Sequence, residues 1–203
     1  MKDMKLGALL QVIVVPYINE VQKIVFRLLA QSGMRIGECT ALNWSDIDFE
    51  KCTISITKTF TFTDEGWVVG TPKNVASNRV VIIDENTLER LSSFRKKQED
   101  YFTIVARKDT AHIFLSRNGK ILHNASIYDM LKRITKNAGL PDINTHGLRH
   151  THATLLFESK ATAKEVQTRL GHSSIKTTLD TYTHVGEGIS QKTVDTLMNY
   201  FAE

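Results

Sequence analysis

Cysteine is almost missing from this chain: Cys39 and Cys52 are the only two in 203 residues. Two thiols cannot build a disulfide framework, so the sequence suits a reducing, cytoplasmic setting. Long apolar runs are missing as well. The nearest approach, from Leu6 to Val15, is interrupted by Gln11, stopped by Pro16 and too short to span a bilayer. Lys2 and Lys5 ahead of it imitate a secretory leader. Asp3 spoils that basic region, however, and no small-residue cleavage site comes before Pro16. A buried first helix is the expectation there, with no membrane association. There are only three prolines, and no repeat or low-complexity run, so nothing reads as an interdomain linker. Nor does charge of one sign dominate. Lys plus Arg number 26 against 22 Asp plus Glu, and the resulting +4 permits nucleic-acid binding without establishing it. With 41% hydrophobic residues, one compact domain of ordinary size is expected.

What is present is mostly helical periodicity. Leu6, Leu9, Leu10, Ile13 and Tyr17 recur at helical spacing, as do Val21, Ile24, Val25, Leu28 and Leu29 up to a stop at Gly33. A later helix, opened by Asp84-Glu85-Asn86, should run to about Thr103 with Leu88, Leu91, Phe94 and Phe102 inward. Arg90, Arg95, Lys96 and Lys97 then form its solvated face. His112 to Ser116 is a short apolar segment followed by a turn over Arg117 to Lys120. Another helix should start at Asn124 or Ser126 and end near Ala138, before the break at Gly139-Leu140-Pro141. The tail from Gly186 to Glu203 reads as a last helix.

Strand propensity is confined to one region: Thr53 to Phe60, Trp67 to Val69 and Val80 to Ile83, with a turn at Asp64-Glu65-Gly66. The expected class is mainly α (α+β), a helical body with a small three-stranded antiparallel sheet.

Chemistry-bearing residues concentrate between His146 and His184. His146 and Arg149 are three apart; if Thr145 caps a helix, both lie on one face of its first turn, beside free N–H groups that favour an anion. A second helix should close at Gly171, leaving His172 just beyond it. Ser173 to Thr181 is a candidate short helix carrying Tyr182 at its far end. Cations and imidazoles suit a phosphodiester on which extra charge develops, and a phenol can form a covalent intermediate.

Arg35, between Gly33 and Gly37, has two readings on spacing alone: a guanidinium clamp for two phosphate oxygens, or a pairing with Glu38 at i+3. Lys73, on the turn after Trp67–Val69, reads by itself as a solvated charge. His146, His150 and His152 have a metal-like H-x3-H-x-H spacing, but no further Cys, Asp or Glu stands close by, and His150 and His152 point to different helix faces. Tyr182 by itself reads as a core tyrosine.

HGLRH, LGHSSIKTTLDTYTH and SGMRIGE, in the order in which they stand, resemble the tyrosine recombinases of the phage-integrase family, from about Ser32 to His184. The resemblance implies the DNA breaking-rejoining fold and a six-residue catalytic set: Arg35, Lys73, His146, Arg149, His172 and Tyr182. Arg35 falls on the family's first catalytic arginine and Glu38 on its acidic neighbour. Ser77 and Arg79 match the pattern after the lysine, where they would hold the hairpin or touch backbone phosphate. The family's reaction needs neither metal nor other cofactor. The implied partner is double-stranded DNA at an attachment or crossover site, bound by a homotetramer in the full-length protein. Family members carry DNA-binding domains ahead of the catalytic one, and some thirty residues precede Arg35 here. Residues 1–203 are therefore expected to be a catalytic-domain fragment, monomeric by itself. Two other readings stay open: a type IB topoisomerase-like nicking-closing enzyme, and a non-catalytic DNA-binding regulator on the same fold.

Overall fold

The computed structural model describes residues 20–72, 74–104, 111–116 and 119–182. Helix α1 spans Glu20–Ser32, with Ile24, Val25, Leu28 and Leu29 buried on the face that the periodicity marks. It stops where Gly33 takes φ +64°, a conformation natural to glycine. A short helix, α2 (Ile36–Thr40), and a 3-10 turn over Trp44–Asp46 follow.

Five strands come next: β1 (Ile47–Asp48), β2 (Thr53–Ile56), β3 (Thr59–Thr63), β4 (Gly66–Gly70) and β5 (Arg79–Ile82). A three-stranded antiparallel sheet is present, but its membership differs from expectation. Its order is β1-β2-β5, whereas β3 and β4 form a separate two-stranded hairpin. The run expected as one strand breaks at Thr57-Lys58. Lys58 Nζ reaches back to Asp46 at 2.9 Å, and the chain leaves the sheet there. Ile54, Ile56 and Val81 point into the core, so β2 and β5 are held together by burial. Trp67 instead pairs with Phe62 across the two-residue turn at Asp64-Glu65.

Helix α3 covers Glu85–Ile104 and buries Leu88, Leu91, Phe94 and Phe102, with Arg90, Arg95, Lys96 and Lys97 exposed. Helix α4 covers Asn124–Asn137; Ile127, Leu131 and Ile134 are buried and Met130 packs partly against the core. The segment before α4 pairs through single bridges, Asn43 with His112 and Leu115 with Ile121, and buries Ile113 and Phe114 completely.

Helix α5 is Thr145–Glu158. Its cap is Asn144, not Thr145: the Asn144 carboxamide accepts from the Gly147 amide at 2.7 Å. Either side chain can cap a helix, and here the one whose oxygen reaches the third amide does so. Helix α6 (Ala163–Leu170) opens on a Thr162–Glu165 capping box and ends at Gly171, φ +69°. The amides of Gly171 and His172 both donate to the Gln167 carbonyl, which fixes the direction in which His172 departs. Helix α7 runs Ile175–Tyr182.

One core cluster joins α1, the sheet, α3, α4 and the start of α5, and a smaller one joins α5 to α6 through Ala153, Phe157, Val166 and Leu170. Among the described residues no helix is long and apolar enough to cross a membrane. The expected helices over residues 6–17 and 186–203 lie outside the described residues.

Candidate active site

The turn between α1 and α2 presents Arg35 in extended backbone at the start of α2. Its amide donates to Glu38 Oε2 and its Nη1 to Glu38 Oε1, each at 2.8 Å. The i+3 pair therefore exists. Yet the Arg35 side chain remains 42% exposed while that of Glu38 is 2% exposed, so the pairing aims the guanidinium outward. The pairing reading of Arg35 is thus present, and it leaves the guanidinium accessible.

Glu38 also receives Arg79 Nη2 at 2.9 Å. Burial works against the carboxylate charge, but the Arg79 and Arg35 bonds outweigh it and hold the Glu38 pKa below its ordinary value. Arg79 is itself buried; Nη1 donates to the Ser77 carbonyl at 2.9 Å and Nε to the Arg169 carbonyl at 2.7 Å. Of its two expected roles it fills the first, tying the end of the hairpin loop to the site.

Arg149, 3% exposed, donates through Nη1 to the Gly33 carbonyl (2.7 Å) and through Nη2 to the Leu170 carbonyl (2.8 Å). Three successive carbonyls at the end of α6 thus accept three guanidiniums: Arg169 O from Arg79, Leu170 O from Arg149 and Gly171 O from Arg35 (Nη2, 3.4 Å). A helix C-terminus has unpaired carbonyls and the negative end of the dipole, so it suits such a cluster. Burial and the Arg35 charge press the Arg149 pKa down to about 9, still charged at neutral pH. Arg35 and Arg79 share the Glu38 carboxylate and Arg149 binds carbonyls alone, so the three guanidiniums leave an excess of positive charge that an anion would meet.

The imidazoles report the same field. His172 Nδ1 lies 2.9 Å from the hydroxyl of buried Thr178. Burial, then the charges of Arg149, Arg35, His146 and Arg79, bring its pKa down to about 4. A neutral ring whose Nδ1 accepts the Thr178 hydroxyl carries its hydrogen on Nε2, ready to donate. His146 stands exposed near the start of α5, its pKa lowered by partial burial and by Arg149, His150 and Arg35. Four of the six expected residues therefore converge. Lys73 lies outside the described residues, and of Tyr182 the backbone at the end of α7 is described.

The metal-like triad does not converge. His152 is buried with both ring nitrogens engaged, Nδ1 with the Ala30 carbonyl (3.0 Å) and Nε2 with Arg169 Nε (3.1 Å). Among the described residues no three His, Cys, Asp or Glu are placed to hold one ion.

The profile of the phage integrase family matches residues 5–188. The chain belongs to the phage integrase family.

Within this family, the domain is 31% identical over 167 residues to the ICEBs1 integrase of Bacillus subtilis, covering 82% of the chain and 45% of that protein. It is 32% identical over 196 residues to the XerC-like tyrosine recombinase of Caldanaerobacter subterraneus, covering 88% of the chain and 49% of that protein. The chain thus spans about half the length of these relatives. Its fold is that of the Tn1549 transposon integrase in complex with transposon right end DNA (TM-score 0.81, 22% identity, all of this chain and 66% of that one). The XerA recombinase shares it too (TM-score 0.71, 22% identity, 97% of this chain and 64% of that one).

This phage integrase domain also joins residues whose pairing the sequence motifs do not indicate. The Arg79–Glu38 pair spans forty-one positions, and the Arg169–His152 contact joins two helices. The available signal for the carbonyl ledge was Gly171, which marks a helix end with free carbonyls.

Proposed function

We propose that this domain is the catalytic domain of a site-specific tyrosine recombinase that cuts and rejoins double-stranded DNA during integration or excision of a mobile element. The observation that carries the reading is the convergence of Arg35, Arg149, His146 and His172 on one positively charged patch, with Tyr182 ending the helix that supplies Thr178.

In this mechanism the Tyr182 phenolate oxygen attacks the scissile phosphorus. The bond to the 5′-oxygen breaks, a 3′-phosphotyrosyl link forms, and a 5′-hydroxyl leaves. Arg35 and Arg149 hold the non-bridging oxygens, where fixed guanidiniums act most strongly on charge that develops in the transition state. Each has N–H donors beyond those tied to carbonyls and Glu38. His172 Nε2 donates to the same phosphate, His146 assists removal of the phenol proton, and Lys73 protonates the leaving oxygen. Ala76, three residues past Lys73, abuts Gly171: a side-chain carbon at Gly171 would lie 3.1 Å from the Ala76 carbonyl. That anchorage of the loop supports the lysine's role. The link conserves the phosphodiester, so a 5′-hydroxyl from a partner duplex reverses the step without ATP. Arginines, lysine and histidines supply the charge that metal ions supply in two-metal nucleases. The full-length parent acts as a homotetramer on synapsed DNA, and this chain alone is a monomer.

A nicked suicide duplex tests the reading. The chain should become covalently attached at its 3′ end, in excess EDTA as well as without it. Tyr182→Phe should give no adduct while keeping fold and DNA affinity. An adduct that survives in Tyr182→Phe places the nucleophile elsewhere, and loss of cleavage in EDTA, restored by magnesium or zinc, revives a metal.

A further inference from the structure

Arg169 is half-buried and binds no group of the expected catalytic set, yet its side chain joins four elements. Nε donates to His152 Nε2 on α5 at 3.1 Å, and Nη2 donates to the Gln31 carbonyl at the end of α1 (3.0 Å) and to the Ile82 carbonyl of β5 (3.1 Å). His152 completes the connection by donating from Nδ1 to the Ala30 carbonyl, a tautomer fixed by Nε2 accepting from Arg169. Burial holds this ring neutral, with a pKa near 4, and so keeps it an acceptor. The space around it is closed: a side-chain carbon at Gly33 would sit 2.6 Å from His152 Cδ2 and 2.6 Å from Leu170 Cδ2.

The backbone that Arg169 anchors is the same backbone whose carbonyls at positions 169, 170 and 171 receive Arg79, Arg149 and Arg35. Gly33, one residue beyond Ser32 at the end of α1, supplies the other acceptor of Arg149. Arg149 thus bridges two backbone segments, and the Arg169–His152 strap fixes their separation.

We propose that Arg169 and His152 are positioning residues that hold the α6 carbonyl ledge against the end of α1 and thereby set where the Arg35 and Arg149 guanidiniums meet the scissile phosphate. This rests on the function proposed above. A side chain that binds only backbone and a neutral ring has no part in proton transfer, so its whole effect passes through the charge on the phosphate.

That consequence makes the inference testable on the 203-residue chain. Single-turnover adduct formation is measured on two suicide duplexes, one with a normal scissile phosphodiester and one with a methylphosphonate, in which a methyl replaces one of the two non-bridging oxygens and the negative charge is gone. Arg169→Met keeps the aliphatic stem and removes every bond. It should lose roughly 10²-fold on the phosphodiester, the scale set by a small misplacement of a reacting geometry, and much less on the methylphosphonate. Arg169→Lys, which keeps the charge but cannot reach three acceptors, should recover little. His152→Phe preserves the ring volume against Gly33, removes the acceptor, and should show the same substrate-dependent loss to a smaller degree. It also replaces Arg169→Met in the test if that variant melts below the assay temperature. Equal losses on both substrates, or no loss in folded protein, overturn the inference. Absence of any adduct from the unaltered chain on both substrates would instead overturn the proposed function.

Discussion

Glu38 keeps its charge at 2% side-chain exposure because two guanidiniums and the Arg35 amide surround it. Removing one partner of such a pair strands the other, typically at about 3–5 kcal/mol. His152 is the opposite case, a group kept neutral by burial. Its pKa falls from 6.5 to about 4 on folding, so between those values the unfolded chain binds more protons than the folded one. The stability it confers is complete above pH 6.5 and is lost as pH drops toward 4, on the order of 3 kcal/mol over the whole window. His172 is depressed through the same window. Urea midpoints at pH 7 and pH 4.5 should therefore differ, and His152→Phe should narrow the gap without closing it; an unchanged gap would remove His152 from the acid transition. For Lys73, alanine should cost on the order of 10²–10⁴ in cleavage rate, the usual contribution of a positioned proton donor. A 5′-thio leaving group, which needs no proton, should erase most of the defect, whereas an equal defect on both substrates would make Lys73 a binding residue. At this scale the sequence was legible where partners are close in the chain, as with Arg35 and Glu38. It named Arg79 and His152 without their partners and did not mark Arg169, because those partners are backbone carbonyls or distant side chains that leave no local pattern.

The helix ends of this domain do more than stop helices. Gly33 and Gly171, both at positive φ, turn two chain ends so that the Gly33 and Leu170 carbonyls face Arg149. Gly171→Ala tests how fixed that arrangement is. The left-handed conformation costs a residue with Cβ about 1–2 kcal/mol, and here the added carbon would also lie 3.0 Å from Arg79 Nη1 and 3.1 Å from the Ala76 carbonyl. A loss of stability at the upper end of that range, with weaker DNA binding, is expected in urea titration and fluorescence anisotropy. Gly171→Asn should cost less in stability, since Asn visits this conformation more readily. An alanine variant as stable as the parent would mean that the end of α6 shifts freely. Helical periodicity located α1, α3 and α4 because one buried face repeats along each. Strand propensity located the β region but read β2 and β3 as one strand and missed the pairing, because Trp67–Val69 suits either sheet. Lys58 meeting Asp46 is a tertiary event that decides where β2 ends.

As a whole molecule the chain is only mildly basic, with a net charge of +4 spread over 203 residues. The local excess at the site must therefore dominate any encounter with DNA. Phosphate contacts fix register without reading bases, and their free energy comes mainly from released counterions. On the proposed function, a chain spanning about half of its relatives' length would bring to DNA this pocket and the surface around it. Where a second binding module is tethered to the first, avidity rises by a factor of about 10²–10⁴, so these 203 residues are expected to bind more weakly than a relative carrying such a module by a factor of that order. Its affinity should fall steeply as salt rises, and a duplex carrying the element's end should compete little better than random sequence. By the same reasoning it should sediment as a monomer, form the phosphotyrosyl link, and exchange strands slightly or not at all. Anisotropy titrations of specific and random duplexes at several salt concentrations decide the matter. Tight, salt-insensitive binding to one sequence would show that base-reading contacts reside within these 203 residues, and that the pocket is the smaller part of how the chain holds DNA.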